Sequence, residues 1–229
     1  MQGLWHQALK NLHSLDLNQH IEHTALSPTL TANHIDQLVA EAREFQFHGV
    51  CVPPFWVTRA RREVGNAPIA VVTVAGFPLG FNMTETKIDE INRAIDNGAN
   101  EVDVVLNLTS FKTGIPWTKI EIAKCAKACH DKQALLKMII ETAYLSDAEI
   151  TEACKMCADA GADFVKTSTG FAPAGATIEH VRLMRSALPL SVGIKASGGI
   201  KTREQALHLI AAGADRIGTS SGVAMMLPS

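Results

Sequence analysis

The 229-residue chain is poor in aromatic side chains, at 5%, and Tyr144 is its only tyrosine. It lacks an excess of either charge: 21 lysines and arginines stand against 23 acidic residues, with the basic ones scattered. A nucleic-acid surface or a polybasic membrane anchor needs massed positive charge, so neither is expected. No apolar run comes near the ~20 residues that cross a bilayer. The opening MQGLWHQALK has neither the long apolar core nor the small-residue cleavage site of a signal peptide. A soluble, cytoplasmic protein is the expectation. No GxGxxG dinucleotide fingerprint and no HExxH pair occur. The five cysteines supply one CxxC, Cys154 to Cys157, with no second pair at metal spacing, so reduced, packed thiols are expected.

What the chain has is apolar mass, 47% of its residues, and one recurring junction. DNGANEVDVV (96–105), DAGADFVKTS (159–168) and AAGADRIGTS (211–220) each run from a helix end through Gly-Ala into an apolar strand, and FQFHGVCV (45–52) is a looser copy. Glycine closes a helix by taking the left-handed backbone, so a repeated helix–Gly–strand junction marks βα units and a parallel sheet. Eight strands are predicted: 21–26, 49–52, 69–77, 101–107, 134–140, 163–169, 191–197 and 215–220. Helical periods lie between them, at 31–45, 84–99 and 202–214 most clearly. Over 84–99, Thr84 is the expected cap and Ile88, Ile91 and Ile95 the buried face. Eight βα units in this length fit a (β/α)8 TIM barrel better than a doubly wound sheet. GLWHQALKNLHSL (3–15) adds an N-terminal helix ahead of the first strand, and no linker interrupts residues 1–229, so one domain is expected.

Polar residues intrude on four successive strands: Asp103, Lys137, Lys166 and Lys195 can all be phased inward. A single strand lysine commonly snorkels to water, and a single aspartate commonly finds a surface partner. Three lysines and an aspartate on neighbouring strands are harder to place that way. In a dry cavity clustered amines repel each other's protons and desolvation acts in the same direction, which predicts a lysine with a depressed pKa. Its neutral form is a nucleophile towards carbonyls. After the last two strands, KASGGIKT (195–202) and GTSSG (218–222) expose backbone N–H groups, an arrangement suited to phosphate. GFPLG (76–80) is read as part of the pocket wall.

The stretches EVDVVLN, LLKMIIETAYL, GADFVKTSTGF, GIKASGGIKT and RIGTSSG, with IEHTALSPTLT and GVCVPP, resemble the 2-deoxyribose-5-phosphate aldolase family in order over residues 18–225. The resemblance implies that Lys166 forms the Schiff base, that Lys195 keeps the pKa of Lys166 low, and that Asp103 relays protons. It places phosphate at Gly170, Gly198, Gly199, Ser220 and Ser221, and puts Lys137 and Cys51 in or near the pocket. Three departures stand out. The terminal tyrosine of some family members has no counterpart, Phe171 replaces a lysine, and Glu22 stands in EHT where DHT is commoner.

The implied reaction needs no metal or organic cofactor, because an iminium supplies the electron sink. A phosphosugar is the implied small-molecule partner, and exposed apolar residues such as Trp5 and Trp117 suggest a homodimer. Another Schiff-base barrel, of transaldolase or dehydroquinase type, and a non-catalytic phosphosugar-binding barrel are the competing readings.

Overall fold

Eight short parallel strands close in chain order into a barrel in the computed structural model, which describes residues 16–227. They are β1 (Ile21–Thr24), β2 (Gly49–Cys51), β3 (Ala70–Ala75), β4 (Glu101–Val105), β5 (Leu135–Ile139), β6 (Phe164–Lys166), β7 (Gly193–Ser197) and β8 (Arg216–Thr219). Outside them run α1 (Ala32–Glu44), α2 (Val57–Val64), α3 (Thr84–Asp96), α4 (Leu108–Lys112), α5 (Trp117–His130), α6 (Asp147–Asp159), α7 (Ile178–Ala187), α8 (Arg203–Ala211) and α9 (Gly222–Met226). The barrel is therefore the (β/α)8 barrel expected, though the predicted helix over 3–15 and Trp5 lie outside the described residues.

Strand register sorts the side chains. Pairing aligns Asp103 with Lys137, Ile139 with Lys166, and Lys166 with Lys195, so these share the inner face. The alternate residues, among them Val71, Val102, Val104, Met138, Val165, Ile194 and Ile217, face the helices and fuse with Ile35, Ile91, Ile122, Ile150 and Val181 into one buried layer. Each such side chain contributes about 1.5–3 kcal/mol by leaving water, and this layer holds the barrel closed. The interior is divided. Cys51, Val72 and Val74 make a small apolar cluster on the β2–β3 side, while β1 and β4–β7 supply charge. The β6 aromatic Phe164 fills the space that a side chain on Gly193 would need.

Several local expectations differ from what folds. β6 ends at Lys166 rather than 169, because Thr169 turns aside to bond Glu141. The N-cap of α3 is Met83, and the Thr84 hydroxyl instead donates to Glu121 Oε2 at 2.8 Å. Ile88 and Ile95 are only half-buried, and Lys87 shares the inner stripe with Ile91 and Ala94. Lys87 is tolerated there because its Nζ donates to Glu121 Oε1 on α5 at 2.6 Å and to the Val105 carbonyl at 2.9 Å. Among the described residues, no helix is long and apolar enough to cross a membrane.

Candidate active site

Asp103, itself fully buried, stands at the centre of an ion network. Its Oδ2 accepts from Lys166 Nζ at 2.8 Å and from Lys195 Nζ at 2.6 Å, and its Oδ1 accepts from Lys137 Nζ at 3.2 Å. Two further carboxylates interleave with the amines. Glu22 on β1 bonds Lys195 and lies 3.4 Å from Lys137, and Glu101 on β4 contacts Lys137. Lys195 can reach β1 only by passing over β8, where Gly218 leaves the way open. A Cβ on Gly218 would lie 3.0 Å from Lys195 Cε and 3.1 Å from Ser197 Cβ.

This corrects the expectation of amines crowded against one another. Burial alone would drive the Lys195 and Lys137 ammoniums to shed protons, but Asp103 and Glu22 outweigh it and hold both above the ordinary lysine range. Burial likewise raises Asp103, yet Lys137, Lys166 and Lys195 together keep it far below the usual carboxylate range. Glu101 follows the same logic: Lys137 and His48 overcome its desolvation and bring it to about 2. Glu101 lies two residues before Asp103 and so on the same strand face, a signal the sequence did carry. The pairing of Glu22 has no local sequence signal; EHT marks it only as a departure from the family pattern.

The three lysines are not equivalent. Lys137 touches three carboxylates and Lys195 two, whereas Lys166 has Asp103 alone and shares its Oδ2 with Lys195. Of the three, only Lys166 lines the cavity of about 560 Å³ that opens at the C-terminal end of the strands. Gly170, Gly198, Gly199, Ser220 and Ser221 line the same cavity. Gly198 and Gly199 have φ of +87° and +76°, a left-handed pair that a side chain would strain. Ser220 is exposed and Ser221 partly so, which leaves both hydroxyls open to the cavity. Lys137 and Cys51 are completely buried and add no surface to it. Burial pushes the Cys51 thiol up, so it stays protonated beside the network. GFPLG also falls outside the lining, touching it only through Phe77, which packs edge-on against Phe171 with ring centroids 5.4 Å apart.

The loops after β6 and β7 interlock. The Ala176 N–H donates to Ser197 O at 3.0 Å and to Gly198 O at 3.2 Å. A Cβ on Gly175 would run into the Gly198 backbone, and one on Gly198 would lie 2.9 Å from Gly175 Cα. On the β5 side, Glu141 holds a left-handed φ of 52° and accepts both the N–H and the hydroxyl of Thr169. That strained residue clamps the chain just beyond Lys166, and no sequence pattern announced it. Among the described residues, Glu22, His48 and Glu101 alone cluster at metal-like spacing. The Lys137 ammonium already contacts both of those carboxylates, so the donor set does not suit a cation.

A closed parallel barrel that offers one enclosed amine to a cavity, and pairs every neighbouring charge, defines a barrel enzyme equipped for carbonyl chemistry. The chain belongs to the DeoC/LacD family of aldolases, whose profile matches residues 13–227. It is 47% identical over 213 residues to a deoxyribose-phosphate aldolase of Brevibacillus brevis, covering 93% of this chain and 96% of that protein. It is 48% identical to one from Thermococcus kodakarensis over 212 residues, 91% of this chain and 94% of the relative. A solved tetrameric deoxyribose phosphate aldolase from Aeropyrum pernix superposes with a TM-score of 0.88 at 33% identity, over 96% of this chain and 94% of that one.

Proposed function

We propose that this protein is a lyase that reversibly cleaves 2-deoxyribose 5-phosphate to glyceraldehyde 3-phosphate and acetaldehyde. The observation that carries the reading is Lys166, the one cluster amine open to a cavity that also holds the glycine and serine loops. In this reading neutral Lys166 attacks the C1 aldehyde and loss of water gives an iminium. Asp103, through water, takes the C3 hydroxyl proton; the C2–C3 electron pair flows into the iminium and the phosphorylated aldehyde leaves. The enamine is then protonated at C2, and hydrolysis frees acetaldehyde and the amine. Lys195, ion-paired to Glu22 and Asp103, keeps Asp103 ionised and close to Lys166. Gly170, Gly198, Gly199, Ser220 and Ser221 hold the phosphate through backbone N–H groups and hydroxyls. Without a lysine at Phe171, the charged side chain nearest those neutral donors in the cavity lining is Lys201, two residues beyond Gly199.

No step here calls on a metal or organic cofactor. A cytoplasmic dimer is consistent with the composition and with exposed Ile115, Trp117 and Ile120 on one side of the molecule. Borohydride trapping with deoxyribose 5-phosphate, followed by peptide mass spectrometry, tests the function. A two- or five-carbon adduct on Lys166 is expected, together with loss of turnover in Lys166→Met. An adduct confined to Lys137 or Lys195, or normal turnover in the Met variant, would overturn the assignment.

A further inference from the structure

The network does not stop at the reacting end. Below Asp103, Lys137 makes an ion contact with Glu101, and Glu101 Oε1 lies 3.3 Å from His48 Nε2. His48 immediately precedes β2 at the N-terminal end of the barrel, opposite the cavity. Its backbone is fixed, with the N–H donating to Asn18 O at 3.1 Å and the carbonyl accepting from Ala70. Its side chain is 24% exposed, whereas Glu22, Asp103, Lys137 and Lys195 are shut away from solvent. Glu22 on β1, Glu101 on β4 and Lys137 on β5 face it. Arg216 on β8 lies on the ring of Phe164 with a fixed charge and, among the described residues, no ion pair to this group. An unbroken chain of contacts thus runs His48–Glu101–Lys137–Asp103–Lys166, with water at one end and the cavity at the other.

We propose that His48 is a positioning residue for the reacting amine, a solvent-facing charge that acts on Lys166 through Glu101, Lys137 and Asp103. Imidazole is the side chain whose charge ordinarily changes between pH 5 and 8. Among the described residues, it is the one group touching the chain of contacts that combines this chemistry with access to solvent. When His48 carries a proton, the added positive charge disfavours the ammonium form of Lys166 and enlarges the neutral, nucleophilic fraction. Without that proton the network is one charge more negative, which favours the ammonium form instead. The coupling therefore flattens the dependence of Lys166 reactivity on pH.

The inference rests on Lys166 being the reacting amine, and its test reads the amine rather than turnover. Reductive methylation with formaldehyde and cyanoborohydride would be followed on the Lys166 peptide from pH 5.5 to 8.5. The proteins compared are the wild type, His48→Gln, which can still donate to Glu101, and His48→Arg, which holds the charge permanently. The Arg variant should label about threefold or more faster than the Gln variant at every pH, as expected for an added positive charge coupled through a protein interior. The wild type should follow the Arg line at low pH and cross to the Gln line at high pH. Coincident lines, or equal slowing in both variants at all pH values, would overturn the proposal, since a purely structural His48 predicts the latter. A wild type that labels as expected yet cleaves no deoxyribose 5-phosphate would refute the proposed function while supporting the coupling.

Discussion

Lys87→Met isolates the buried ion pair between α3 and α5. Lys87 is inaccessible to solvent and Glu121 is nearly so, at 0% and 2% side-chain exposure. Methionine keeps the length of the stem but removes the donor to Glu121 Oε1 and to the Val105 carbonyl. Glu121 then keeps only the Thr84 hydroxyl, which itself receives the Trp117 indole N–H at 3.0 Å. Stranding one member of a buried pair costs about 3–5 kcal/mol. For a protein of this size that corresponds to a melting-temperature drop of roughly 6–20 °C. A stranded carboxylate can escape by taking up a proton, which becomes about 1.4 kcal/mol easier per pH unit of acidification. The deficit should therefore be smaller at pH 5 than at pH 7. Adding Glu121→Gln removes the stranded charge while leaving an acceptor for Thr84, and most of the loss should be recovered. The assay is guanidinium unfolding followed by circular dichroism at both pH values for the wild type, the single and the double variant. A single-variant loss below about 1 kcal/mol, or a double variant less stable than the single, would refute the argument that this pair is a compensated charge rather than a source of stability.

Gly218→Ala places a methyl group 3.0 Å from Lys195 Cε on an extended strand, where the backbone tolerates it. Misplacing a catalytic group by about an ångström can cost about 100-fold, so even the smaller shift forced here should lower kcat while the unfolding midpoint moves little. A normal kcat would show that the contacts of Lys195 with Glu22 and Asp103 are dispensable. Stability should be level from about pH 4.5 to 9, with a loss on each side, the alkaline one beginning where thiols of the unfolded chain ionise while buried ones such as Cys51 stay protonated. Asp103 and Glu101 have folded pKa values below their unfolded ones, with Glu101 at about 2, so their contribution is lost as pH falls below the carboxylate range. Lys137 and Lys195 are raised, so theirs is lost as pH rises beyond the ordinary lysine value. Guanidinium midpoints against pH test this, and Glu101→Gln should blunt the acid limb; an unchanged limb would sink the assignment. Ser220→Glu sets a negative charge where phosphate is placed, so KM for deoxyribose 5-phosphate should rise about tenfold or more, equivalent to 1.4 kcal/mol. Turnover of unphosphorylated deoxyribose should hold, and equal losses for both sugars would remove phosphate from that loop.

The barrel was legible because its signals are local and repeated. The Gly-Ala junctions before β4, β6 and β8 each mark a helix stop and a strand start, and alternation along the strands put Asp103, Lys137, Lys166 and Lys195 on one face. The compensation among those charges was much less legible. Glu22 and Lys195 are 173 residues apart, and their meeting depends on closure of the barrel and on the missing side chain at Gly218. Lys87 sits in a helix whose period suggested an isoleucine face, and only the position of Glu121 on the next helix makes a buried amine tolerable there. The Glu141–Thr169 clamp requires a left-handed residue in a segment with no glycine to announce it. Local pattern named the intruding charges, and tertiary pairing settled what each of them does.

The seam between Gly175 and Gly198 makes the two loops a single lever arm. With no room for a side chain on either glycine and the Ala176 N–H bridging to both Ser197 and Gly198, a shift of one loop breaks these contacts unless the other follows. The span from Lys166 to the Gly198–Gly199 turn behaves as a ruler of fixed length. A directed-evolution library that varied residues 170–176 apart from 198–201 would mostly sample broken rulers. Recutting the cavity for a shorter or longer aldehyde therefore calls for paired changes on both sides of the seam.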